Sequence, residues 1–209
     1  MEEKKLSERE SLEVIMAMIN RTKERYMLGD GNILLMWGYV VIAVSALVWA
    51  LLALTHNPAV NWLWFLIWII GGIATPVMAR KKQIDKGVKS LYDKIISRLW
   101  SIVGYATIAA VLSCLGFLLI GGKDSWAMMF EIALIIVPIV EMAQGVLLDE
   151  KCFIVGGAIG LAVGIFTMCC LAGGVTLYAY WYMPLFMVTI AVMMILPGHT
   201  LNYKARHRK

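Results

Sequence analysis

The chain predicts an all-α polytopic membrane protein, a bundle of six transmembrane helices. Three observations carry the prediction: six long apolar stretches follow the first 31 residues, 61% of residues are hydrophobic against 16% charged, and Lys and Arg crowd into alternate connections. A hydrocarbon core of about 30 Å takes roughly 20 helical residues to cross, and no soluble fold of this length buries six such runs. The length leaves room for one membrane domain and no separate soluble one. The expected divisions are an amphipathic helix over 1–31, a six-span domain over 32–198 and a basic tail over 199–209.

The N-terminal segment is hydrophilic and has no apolar core of a cleavable signal, so the first span is expected to remain as the internal start of insertion. Ser7 followed by Glu10 fits a capping box, and Leu12, Ile15, Ile19 and Met27 keep a helical apolar stripe until Gly29-Asp30-Gly31-Asn32 breaks it. This helix suits the inner leaflet or docking against the second cytoplasmic helix, at 80–98. The spans then run over 32–54, 59–78, 99–120, 126–148, 152–171 and 176–196. Between the second and third, 80–98 reads as a basic helix, with Ile84, Val88, Leu91 and Ile95 on one face and Lys81, Lys82, Lys86, Lys89 and Lys94 around it.

Positive loops resist translocation, which sets the orientation. The N-terminal segment carries six Lys and Arg, the 80–98 connection seven, the turn at Lys151 one and the tail four, whereas the three intervening connections hold Lys123 alone. Both termini are therefore expected in the cytoplasm. The same asymmetry explains the net charge of +5. No basic patch interleaved with aromatics lies outside the membrane-flanking segments, so no nucleic-acid partner is expected. The expected partners are the lipid bilayer, a second copy of the chain, and a cytoplasmic protein docking on the two amphipathic helices.

Trp37, Trp49, Trp62, Trp64, Trp100, Trp126 and Trp181 fall near span ends and read as an interfacial belt. Cys114, Cys152, Cys169 and Cys170 contain no C-x-x-C pair, and His56, His199 and His207 are scattered. Neither a metal nor another cofactor is expected, and the thiols are read as buried.

The fourth span is the unusual one. Glu131, Pro138, Glu141, Gln144 and Gly145 interrupt its apolar run, and an ionisable group in hydrocarbon costs about 2.5–3.5 kcal/mol even on the lenient insertion scale. At about 100° per residue, Glu131, Pro138, Glu141 and Gly145 share an arc of roughly 80°, so one side of the helix is a polar and small lane that should face protein or water. Glu131 is near enough to the outer end to reach the interface. Glu141 is about 11 Å from the inner end and is the stronger candidate site. Pro138 cannot donate to the Leu134 carbonyl, which leaves an acceptor near Glu141 suited to a cation or a proton relay. The competing reading is a neutral Glu141 hydrogen-bonded to a neighbouring helix, with Pro138 an ordinary kink. In the fifth span, Gly156, Gly160 and Gly164 recur every four residues, a row that permits close helix approach within the bundle or between subunits.

Glu10-Ser11-Leu12-Glu13, Gly31-Asn32 leading into Trp37-Gly38-Tyr39, and Pro197-Gly198-His199 through Asn202-Tyr203 resemble segments of a group of small polytopic membrane proteins of Bacteroidetes-type bacteria. That resemblance implies a bacterial inner membrane and no activity. The chain has no G-x-S-x-G, H-E-x-x-H or Walker-type loop, so it is not expected to be an enzyme. The expected function is a noncatalytic partner-binding or regulatory membrane component, the alternative a small transporter or channel using the fourth-span lane.

Overall fold

A computed structural model describes residues 7–27, 31–86, 91–122 and 125–207, all as helices and short connections. Six helices are long and apolar enough to cross a membrane. An N-terminal helix α1 (Glu8–Met27) precedes α2 (Gly31–Thr55); a 3-10 turn, Pro58–Trp64, leads into α3 (Phe65–Lys86); then follow α4 (Leu91–Gly121), α5 (Met128–Leu148) and α6 (Lys151–Ala172). The sixth span is composite: α7 (Ala179–Ile190), a π-helical segment Ala191–Ile195, and α8 (Leu196–His207).

The spans are unequal in role. In the fourth span 44% of the spanning window is buried, against 6% in the second and 11% in the third. The core is therefore α5 packed on α6, with the sixth span and α2 closing round them, while α3 leans on α2 and α4 on α5. Two tryptophans pin the outlying spans. Trp37 Nε1 donates to Thr75 Oγ1 at 3.0 Å, and Gly71 leaves room for the Trp37 ring. Trp100 Nε1 donates to Gln144 Oε1 at 2.8 Å. These two rings face inward as donors to other spans, unlike the belt expected of them. Trp62, Trp64 and Trp126 do form an aromatic girdle at one end, contacting Phe65 and Phe130.

The opposite, basic end is tied by polar contacts. The α5–α6 turn closes with Asp149 in the left-handed region (φ 56°) while the Glu150 N–H returns to Gly145 O at 2.9 Å, a Schellman-type stop. That turn buries Glu150, whose carboxylate pairs with Lys204. Asn202 Nδ2 donates to Asn32 Oδ1 at 2.7 Å, the Tyr39 hydroxyl meets His199 Nε2 at 2.8 Å, and Gly31 and Gly198 let the starts of α2 and α8 touch backbone to backbone. The basic tail is helical through His207 and docked, with Leu201 buried. The segments 31–39 and 197–203 meet here.

Within the 80–98 connection, residues up to Lys86 continue α3 and those from Leu91 begin α4, while 87–90, Val88 among them, lie outside the described residues. Leu91 is exposed, whereas Ile96, with Tyr92 and Trp100, packs on Leu148. The reason is continuity. As part of a long α4, this turn takes its inner face from α5 rather than from its own hydrophobic periodicity.

In α1 the capping box closes: the Ser7 N–H donates to Glu10 Oε2 at 2.8 Å and the Glu10 N–H to Ser7 Oγ at 3.2 Å. The Ser7 amide holds the exposed Glu10 carboxyl below its ordinary value. A depressed carboxyl stabilises above its unfolded value, about 4.3, and loses that contribution as pH falls through the folded one. Amide exchange at the first turn of α1, corrected for intrinsic rates, should therefore rise below about pH 4 in the wild type and change less in Glu10→Gln.

Candidate functional site

The polar lane of the fourth span lies inside the protein. Glu131, Leu134, Pro138, Glu141, Gln144, Gly145 and Leu148 are all buried, a run at spacings of three and four that forms the inner face of α5. The two carboxyls on this face are in opposite states of satisfaction.

Glu131 is 6% exposed and does not reach an interface, contrary to the expectation from its place in the span. Thr167 Oγ1 donates to its Oε2 at 3.0 Å and the Tyr182 hydroxyl to its Oε1 at 3.2 Å. The carboxyl thereby joins α5 to α6 and to α7. Phe130 packs edge-on against Tyr182 and Phe186 beside it, so the group is enclosed by rings. A cleft of about 450 Å³ lies next to it, lined by Phe130, Leu171, Val175, Leu177, Tyr182 and Met183. Sequence alone held no signal for this triad, because Thr167 and Tyr182 read as ordinary span residues.

Glu141 is 0% exposed, and neither carboxyl oxygen has a hydrogen-bond partner among the described residues. One turn below it Gln144 is engaged by Trp100. Other buried hydroxyls on neighbouring spans are already committed to their own helices, Ser45 to Val41 O at 2.7 Å and Thr189 to Leu185 O at 2.7 Å. The hydrogen-bonded neighbour expected for Glu141 is absent among the described residues.

The glycines of α6 explain what surrounds this face. A Cβ on Gly164 would collide with the Leu134 carbonyl oxygen, one on Gly157 would stand 2.8 Å from the Pro138 carbonyl oxygen, and one on Gly160 would be 2.8 Å from Met193 Sδ and 3.0 Å from Pro138 Cγ. On Gly156 it would lie 3.1 Å from the Val192 carbonyl oxygen. The row is thus internal, wedged between α5 and the π-helical segment. Two of its contacts share a cause. Leu134 O is the acceptor that Pro138 cannot serve in an α-helix, and Val192 O is the one that Pro197 cannot serve in the i→i+5 register of a π-helix. In each case a glycine Cα–H covers the orphaned carbonyl, the close approach that weak Cα–H···O contacts favour. The Leu134 carbonyl is therefore covered rather than open to a cation.

Cys114 is buried, but Cys169 is exposed and Cys152 and Cys170 half-buried, so the thiols are not uniformly interior. No group of three or more His, Cys, Asp or Glu residues suited to a metal occurs among the described residues. No family model, curated protein or solved structure matches this chain.

Proposed function

We propose that this integral membrane protein is a noncatalytic, partner-binding or regulatory component of a bacterial inner membrane, with both termini cytoplasmic and its recognition surface on α1. The observation that carries this reading is the apolar face of α1, where Leu12, Ile15 and Met16 are 61%, 52% and 57% exposed although the helix touches α4 and α8. Six Lys and Arg in residues 1–31 are outweighed by seven Asp and Glu, so attraction to anionic lipid is weak, and an apolar stripe among mixed charges suits a groove on a protein. Leu12→Glu with Met16→Glu is expected to abolish cross-linking of α1 to one defined protein in native membranes while leaving assembly intact. Cross-linking of α1 to lipid alone would reject the reading.

The orientation is checked by cysteine labelling of intact cells in a background lacking the native thiols. A probe at Asn57 should react from outside and one at Asp85 should not; the reverse pattern inverts the topology.

A second reading, a small transporter or channel, draws on the burial of Glu141 without a partner. Covering of the Leu134 carbonyl by Gly164 weighs against a cation lane. Proton or cation flux in proteoliposomes that disappears in Glu141→Gln would favour it.

A further inference from the structure

We infer that Glu141, one turn past the Pro138 break on the inner face of α5, is a buried binding site for an exchangeable proton. Two independent observations lead there. Its side chain is fully enclosed with both oxygens unbonded, the only such carboxyl among the described residues. The face it belongs to packs on α6, and α6 in turn on interrupted helix: Gly160 lies close to both Pro138 and Met193, and residues 191–195 are wound in the π register. A π segment is a place where a helix can change register without losing its neighbours, and such segments concentrate at functional sites.

The chemistry of the surroundings selects the ligand. A metal ion or sodium-like cation needs several oxygens. Here the Leu134 and Val192 carbonyls are occupied by glycine backbone, the Ser45 and Thr189 hydroxyls donate within their own helices, and the Gln144 oxygen holds Trp100. What remains among the described residues is one unbonded carboxyl that can take a proton and no group of acidic, His or Cys side chains suited to an ion. The other buried carboxyls, and the polar pair at the basic end, have partners of their own. Glu131 is held by Thr167 and Tyr182, Glu150 and Lys204 pair at the basic end, and Tyr39 and His199 bond each other there. A bare carboxylate in this position has no compensation, so the bound proton is what makes the packing possible. This inference is independent of α1 and its partner.

The test is infrared difference spectroscopy of the purified full chain in lipid at neutral pH, wild type against Glu141→Gln. A carboxylic-acid carbonyl band in the wild type, lost in Glu141→Gln and shifted on transfer to deuterated water, is the expected result. Carboxylate bands alone in the difference would overturn the site. An acid band that deuterium never shifts would overturn exchange, leaving a locked structural group. If Glu141→Gln does not assemble, the band is assigned by carbon-13 glutamate labelling in Glu131→Gln, where it must persist. Flux is a separate readout: an exchanging acid band without flux keeps the proton site and removes the transporter reading.

Discussion

Gly164→Leu is expected to be the most damaging single substitution in the membrane domain, lowering the unfolding free energy by about 3 kcal/mol, the upper end for overpacking, or preventing assembly. The first side-chain atom collides with the backbone oxygen of Leu134, and backbone cannot swing aside as a side chain does. Gly160→Leu should cost less, because its first obstacle is the Met193 thioether, the flexible end of an adaptable side chain. Gly72→Leu is the control, with nothing within 4 Å of the added atom. Thermal unfolding in detergent should rank the three in that order. Equal loss at Gly164 and Gly72 would mean that the α5–α6 contact is not the close one described.

This ranking could not be read from the sequence, although the glycine row itself could. Period-four glycines report that some backbone must come close; they do not say whose. The answer depends on where Pro138 and Pro197 orphan their carbonyls, and the π register of 191–195 that makes Val192 the acceptor leaves no mark in residue type. The six spans were legible for the opposite reason: apolar length is a property of each segment alone, and the bilayer sets its threshold independently of the neighbours. The inward arc of α5 was legible too, since Glu131, Pro138, Glu141 and Gly145 share a side by helical geometry and all four are buried. What lies opposite that arc was not. Thr167 and Tyr182 stand 36 and 51 residues from Glu131 in the chain, and only the fold brings them to it. The same holds for α8, whose charged sequence suggests a tail until Glu150 and Asn32 are placed beside Lys204 and Asn202.

The two carboxyls of α5 should respond to leucine with opposite signs. Glu131→Leu is expected to lower stability by about 1–2 kcal/mol: the Tyr182 hydroxyl loses its acceptor in a buried place, while the single Thr167 hydroxyl proton still has the Gly164 carbonyl as acceptor, and hydrogen bonds between membrane helices average only about 0.6 kcal/mol. Glu131→Gln keeps an acceptor oxygen and should fall between wild type and leucine. Glu141→Leu is expected to raise stability by about 1 kcal/mol, since it replaces a polar group without a partner by an apolar one of similar volume. A Glu141 hydrogen-bonded to a neighbouring helix, the competing reading of the sequence, would give the reverse, with leucine destabilising. Reversible unfolding in detergent, monitored by far-ultraviolet circular dichroism, measures all three. A Glu141→Leu variant that loses as much as Glu131→Leu would reveal a polar partner for Glu141 and remove the basis for its proton site. If leucine stabilises, the native chain carries at the centre of its best-packed helix a carboxyl that its fold would do better without. Such a residue is retained for what it does.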